Sequence, residues 1–345
     1  MRILGIETSC DETAAAVIED GVKILSNVVA SSIELHQKTS GIIPEVAARE
    51  QIKCMLPVIE ESLKDIKGVD AIAVTVGPGL IGSLLVGVET ARTLSYGWKK
   101  PIIPVNHLVA HLYANWLETE QESKRVKEQE LPKFPAVALV VSGGHTDLVL
   151  MKNHGEIKWI GGTRDDAAGE CFDKCARVLG LGYPGGPAIG ASAAQYEISN
   201  KQYKTKLPRP MINDKNFDFS FSGLKTAVIN RVKEQKGKRV KINVSELAYE
   251  IQEAITDVLV TKTLRAAEKY KVKSILLAGG VAANARLREK IQHATRDTQY
   301  VLSIPEPKLC TDNAAIVASC VFFNYQPIPW QKITTLPGLT IIGET

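Results

Sequence analysis

The segment VALVVSGGHT at residues 137–146 decides the fold. Its five apolar residues, 137–141, leave no polar face, which is the pattern of a strand covered on both sides. The run stops at Ser142-Gly143-Gly144, a tip whose missing side chains let backbone N–H groups approach phosphate or carboxylate oxygens. A second apolar run at 148–151 and the turn residues Asn153-His154-Gly155 complete a predicted β-hairpin with a polar tip.

Outward from this hairpin, the chain shows one design twice. Near the start, an apolar strand at 3–6 leads into the polar loop 7–13, a second strand at 14–18 and a turn at Glu19-Asp20-Gly21. Each hairpin is later followed by strand, glycine turn, helix and strand. In the first half these are 71–76, Gly77-Pro78-Gly79, 80–96 and 102–105; in the second they are 274–278, Gly279-Gly280, 282–294 and 300–304. Helices are predicted between the parts of each copy, at 44–66 and 245–270, the latter with Leu247, Ile251, Ile255 and Val258 at helical spacing. The expectation is an α/β fold of two duplicated domains with a ligand cleft between them. The charged stretch 118–133 marks the crossing, which gives one domain of residues 1–133, completed by 313–345, and a second of residues 134–312.

The bulk composition fits this reading and excludes others. A chain of 345 residues exceeds what one core usually supports, and 45% hydrophobic with 23% charged residues is ordinary for a globular protein. The formal net charge of +4 tolerates a polyanionic partner without requiring one. Basic runs at 201–209 and 236–241 are read first as solvated faces. None of the six cysteines forms a CxxC pair, and Cys171 and Cys175 are spaced as neighbours on one helix face, so neither a zinc knuckle nor a disulfide framework is expected. The uncharged stretch 71–88 is broken by Gly77-Pro78-Gly79, which argues against a membrane span, and with no basic-then-apolar leader at the start a cytoplasmic location is expected.

His107 and His111 stand four apart on a predicted helix, so both imidazoles project from one face. Two histidines leave metal binding and packing or capping both open, because a metal needs a further ligand from elsewhere. The HExxH pattern of zinc proteases is absent. Carboxylate pairs at Asp11-Glu12 and Asp165-Asp166 lie in polar loops, where proton transfer and plain solvation are alternatives. Gly279-Gly280 repeats the glycine tip after a buried strand, and Gly185-Gly186 ahead of Pro187 adds a third turn.

Ordered blocks then carry a family resemblance: GIETSCDET at 5–13, VSGGHT at 141–146, DDAAGE at 165–170, FDKCARVLGLGYPGGP at 172–187, FSFSGLKT at 219–226, LAGGVAAN at 277–284 and CTDN at 310–313. With His107 and His111 they resemble the bacterial tRNA N6-adenosine threonylcarbamoyltransferases, the TsaD family, once described as glycoprotein endopeptidases. The resemblance spans roughly residues 1–320 and implies the duplicated RNase H-like fold of actin, sugar kinases and Hsp70. It implies that Asp312 joins His107 and His111 around one divalent metal ion, iron ahead of zinc. It also implies that Val140, Val141, Ser142, Gly143, Gly144, Asp173, Gly186 and Asn284 hold the adenylate substrate. The implied reaction is attack by N6 of adenosine 37, in tRNAs reading ANN codons, on the carbamoyl carbon of threonylcarbamoyladenylate, with loss of AMP. Asp11 or Glu12 would assist proton removal. Implied partners are tRNA, a shorter inactive paralogue of the same fold (TsaB-like) and a small P-loop ATPase (TsaE-like), with no membrane.

Two positions depart from the family pattern. Gly190 stands where the family often has an acid, which removes an expected ribose contact. Val140 stands where archaeal relatives have a tyrosine that contributes to the metal, so coordination here should lean more on water or substrate. The repeat and glycine loops alone would also suit an ATP-dependent small-molecule kinase, or a non-catalytic nucleotide-binding subunit, of the same superfamily. The His107, His111 and Asp312 set opposes both. Residues 326–345 match no motif.

Overall fold

The computed structural model describes residues 1–39, 41–118, 131–199, 206–238 and 242–343. Most of the predicted crossing at 118–133, and the basic runs at 201–209 and 236–241 in part, lie outside these residues. By contacts the chain divides into two compact units. One comprises Met1–Pro132, Asn153–Ile157 and Pro305–Thr345; the other comprises Lys133–Lys152 and Lys158–Ile304.

The first unit is built on a five-stranded sheet of β1 (Arg2–Glu7), β2 (Glu12–Glu19), β3 (Lys23–Ser31), β4 (Ala71–Gly77) and β5 (Ile102–Asn106), in the order β3-β2-β1-β4-β5. β1 pairs antiparallel with β2 and parallel with β4. Positive φ at both Asp20 and Gly21 gives the tight turn that follows β2 the twist a hairpin needs. The second sheet, which belongs to the second unit apart from its hairpin tip at Asn153–Ile157, repeats the plan. Its strands are β6 (Ala136–Val141), β7 (Thr146–Asn153), β8 (Glu156–Gly162), β9 (Ser274–Ala278) and β10 (Val301–Ser303), ordered β10-β9-β6-β7-β8, with β6 antiparallel to β7 and parallel to β9. The duplicated α/β architecture expected from the repeat is therefore present.

Sequence expectation and structure differ at element ends and edges. The edge strands β3 and β8 were not expected, because their partly exposed residues form no apolar run. The helix expected at 282–294 is Ala285–Thr295, since Asn284 accepts the Leu287 N–H and residues before it form a short 3-10 turn.

In the first unit, Leu4 and Ile6 of β1 meet Met55, Val58 and Ile59 of the helix Pro44–Leu63 in one buried cluster. Full burial of each such side chain contributes about 2 kcal/mol. On the other face of β1, Gly5 lies directly against the helix Ala314–Phe323. That helix is buried nearly all round, and its small residues Ala314, Ala315, Ala318 and Ser319 allow the close approach.

Candidate functional site

The loop after β1 is held from several sides before any chemistry is considered. The Gln51 amide donates to the carbonyls of Cys10 and Glu12, both at 3.0 Å, and Ser83 Oγ donates to the Cys10 carbonyl at 3.1 Å. The Leu80 N–H donates to the Ser9 carbonyl at 2.8 Å. A side chain at Gly79 or Gly87 would collide with Ser9 or Thr8.

The histidine pair sits on the short helix His107–Leu112, as its spacing predicts. Asn106 starts that helix: its Oδ1 accepts from the Leu108 and Val109 N–H groups, and its Nδ2 donates to the Thr340 carbonyl at 2.7 Å. Asn313 does the same beside Asp312. Its Oδ1 accepts from Ala315 and Ile316, and its Nδ2 donates to the Thr311 carbonyl at 2.7 Å. The C-terminal segment braces this region too, since the Leu336 N–H donates to Val76 at 2.7 Å and the Gly79 N–H to Pro337 at 3.2 Å. The capping roles of Asn106 and Asn313 go beyond the sequence reading, although an asparagine just ahead of a helix is a recognisable cap.

His107, His111 and Asp312 converge in the first unit. The two Nε2 atoms are 3.2 Å apart, and Asp312 Oδ1 is 3.5 Å from His107 Nε2 and 3.3 Å from His111 Nε2. Among the described residues they form a three-ligand group suited to a metal ion. A cation with bonds of about 2.1 Å in tetrahedral array separates its ligands by about 3.4 Å, so the donor set fits one. Three lone pairs at this spacing repel unless a cation or proton lies among them. The protein field points the same way. Burial opposes a charged His107, yet the Asp312 and Glu7 carboxylates outweigh it and push its pKa up to about 9. His111 is fully buried, whereas the Asp312 side chain is 22% exposed, so the group meets solvent on the Asp312 side.

Asp11 and Glu12 lie in and just after the same loop. Burial first, then the Asp312 and Asp11 carboxylates, push Glu12 up to about 10, so with no cation beside it the group donates a proton rather than accepting one. Glu12 Oε1 accepts from Ser31 Oγ at 3.2 Å. Glu7, not singled out from the sequence, is fully buried at the end of β1, with Oε2 3.2 Å from His107 Nδ1.

In the second unit, Val140 and Val141 are wholly buried strand residues, so their side chains face no solvent. Ser142 closes the tip, accepting the Gly169 N–H at 3.2 Å through its carbonyl, while Gly143 and Gly144 are exposed and border open space. Asp173 Oδ1 accepts the Gly185 N–H at 2.6 Å, and Gly186 also borders open space. Asn284 donates to Gln252 Oε1 at 3.0 Å, and a Cβ at Gly190 would lie 3.5 Å from that same oxygen. Thus Gln252 stands between Asn284 and Gly190. Asp165 and Asp166, one of the pairs considered for proton transfer, are engaged by neighbouring groups of the chain. Asp165 accepts from Ser220 and Ser222 hydroxyls, both at 2.6 Å, and from the Phe221 and Ser222 N–H groups, while Asp166 pairs with Lys174 and Lys225.

Comparison with known proteins identifies the family. A family model described as TsaD, tRNA N6-adenosine threonylcarbamoyltransferase, matches residues 23–319. A tRNA N6-adenosine threonylcarbamoyltransferase of Dehalococcoides mccartyi is 50% identical over 329 residues, covering 94% of each chain. One from Desulfitobacterium hafniense is 46% identical over 348 residues, covering 99% of this chain and 98% of the relative. Among solved structures, component A of the Acidaminococcus fermentans (R)-2-hydroxyglutaryl-CoA dehydratase shares the fold, with a TM-score of 0.52 at 13% identity over 94% of this chain and 98% of that one.

Proposed function

Since this chain belongs to the tRNA N6-adenosine threonylcarbamoyltransferase family, we propose that His107, His111 and Asp312 hold the divalent cation of its transfer reaction, iron rather than zinc. The chain is a tRNA-modifying transferase. The observation that carries the metal assignment is the convergence of two imidazole Nε2 atoms and one carboxylate oxygen at 3.2–3.5 Å. When bound, such a cation supplies Lewis-acid stabilisation of negative charge on a substrate oxygen, worth several kcal/mol.

The remaining steps fall to the chain's own groups. The tip at Val140–Gly144, through the backbone N–H groups of Gly143 and Gly144, holds threonylcarbamoyladenylate together with Asp173, Gly186 and Asn284; the bare space at Gly143, Gly144 and Gly186 supports this, while the Ser142 N–H keeps the tip in shape by donating to the His145 carbonyl at 2.9 Å. Each well-aimed N–H donor contributes about 3 kcal/mol to a developing oxyanion. The bond from adenine N6 to the carbamoyl carbon forms, the bond from that carbon to the phosphate oxygen breaks, and AMP leaves as an anion. The N6 proton passes to Asp11, or to Glu12 when the bound cation offsets the Asp312 and Asp11 charges that otherwise keep Glu12 protonated. Adenine N6 is a weak nucleophile, so orientation supplies much of the remaining acceleration. No covalent enzyme intermediate is required.

Partners are a shorter inactive paralogue and a small P-loop ATPase. Ile52 and Leu56 on Pro44–Leu63, and Ile81 and Leu85 on the helix Ile81–Trp98, are exposed apolar side chains of the kind that mark an interaction surface. No described helix is long and apolar enough to cross a membrane, and we place the chain in the cytoplasm with its tRNA. The test is direct: purified chain, its partners, unmodified tRNA and threonylcarbamoyladenylate should yield AMP and modified adenosine in equal amounts, measured by chromatography and mass spectrometry. Phosphorylation of a small molecule without tRNA, or no product, would refute the reading.

A further inference from the structure

We infer that Glu7 is a positioning residue of the metal centre: its buried carboxylate accepts a hydrogen bond from the Nδ1–H of His107 and so turns the Nε2 lone pair toward His111 and Asp312. The inference rests on the reading of those three residues as cation ligands.

Glu7 has no exposed surface, and each of its oxygens is addressed by a donor. The Ser9 N–H donates to Oε1 at 2.6 Å, and Thr75 Oγ1 donates to Oε2 at 2.5 Å. His107 Nδ1 stands 3.2 Å from Oε2. An ionised carboxylate accepts and never donates, so this contact is favourable only if Nδ1 carries the proton. A neutral imidazole protonated at Nδ1 has its lone pair at Nε2, the atom that faces His111 Nε2 and Asp312 Oδ1. Glu7 thereby selects the ligating tautomer and fixes the ring plane, as a carboxylate behind a metal-bound histidine does.

The alternative partner for Nδ1 is Ser9 Oγ, also at 3.2 Å. If that hydroxyl donated to Nδ1, the Nδ1 lone pair would sit against the Glu7 carboxylate. A charge-assisted bond is about twice as strong as a neutral one, so Nδ1 keeps its proton and donates to the carboxylate. His111 has no such support, since its buried Nδ1 has no hydrogen-bond partner among the described residues. One ligand is oriented from behind by a charge; the other is oriented by packing on its helix.

The experiment uses the full chain, stripped of metal and then titrated with Zn2+ in competition with a chromophoric chelator. It is paired with two-bond proton–nitrogen NMR spectra of 15N-histidine-labelled protein. The Glu7→Gln variant should keep its circular dichroism spectrum and cooperative unfolding, yet bind zinc 10- to 100-fold more weakly, the range expected for losing a group behind a ligand. The wild-type spectrum should show His107 protonated at Nδ1 with zinc at Nε2. Equal zinc affinity in folded Glu7→Gln and wild type, or a His107 ring bare at Nδ1, overturns the role of Glu7 alone. Failure of the wild-type chain to bind zinc overturns the ligand reading beneath it. If Glu7→Gln does not fold, the wild-type spectrum decides.

Discussion

Gly5 of β1 and Ala314 at the head of the helix Ala314–Phe323 lie so close that a Cβ on residue 5 would overlap the Ala314 carbonyl. The obstacle is backbone within a helix, which cannot swing aside as a flexible side chain could. Gly5→Val should therefore destabilise the chain by about 1–3 kcal/mol, the usual penalty for overpacking. Because the displaced helix begins two residues after Asp312, zinc affinity should fall with it. Urea unfolding with and without zinc checks both, and a variant with wild-type stability would show that the contact is not tight.

Asn313→Ala removes the cap of that same helix and the bond that fixes the backbone at Thr311. A loss of about 1 kcal/mol in stability is expected. Metal affinity should also weaken although no proposed ligand has changed, because Asp312 is then less well placed. Titration calorimetry separates the two effects.

Asp312→Asn and His111→Ala should each fold, lose metal, and lose transfer by more than the roughly 10- to 100-fold that loss of a supporting partner causes. Elemental analysis after gel filtration gives the stoichiometry. Either variant turning over at the wild-type rate in excess chelator would remove the metal from the mechanism.

Asp165 sets a dependence on pH. Burial works against its charge, but the hydroxyls of Ser220 and Ser222 and the Phe221 and Ser222 N–H groups outweigh burial and hold its pKa below the usual value. The sign follows from linkage: a carboxyl lowered in the folded state stabilises fully above its unfolded pKa of about 3.9, and that contribution is lost as pH falls through the folded value. Asp165→Asn should therefore unfold earlier than wild type by a constant margin from neutral pH down to about 5, and the margin should shrink below about 4. Thermal melts across pH measure it; a margin that grows with acidity would contradict the assignment.

Much of the architecture was legible from local pattern because buried parallel strands leave unbroken apolar runs. Strands β1, β4, β6 and β9 announce themselves in this way, and the two hairpins and their glycine tips recur at matching places. The edge strands β3 and β8 escaped because one side of each meets solvent, so neither a run nor a clean alternation survives. At the site, His107 and His111 could be paired from their spacing on one helix. Asp312 could not, since nothing local links it to them; only the family resemblance joined it to the pair. Glu7 was hidden for a different reason. It ends an apolar strand and looks like the first polar residue of a loop, whereas its meaning comes from Thr75 and His107, which are far away in sequence.

The bracing of the first unit by its last residues bears on how the chain matures. A ribosome makes the histidine pair early, with Asn106 still lacking Thr340, Val76 lacking Leu336, and β1 lacking the helix that covers Gly5. The whole of the second unit up to Ile304 is synthesised before any of these arrive. If His107, His111 and Asp312 hold a cation as proposed, its capture is a late event in biogenesis, and a nascent chain stalled before Asp312 would carry two imidazoles without the carboxylate that joins them.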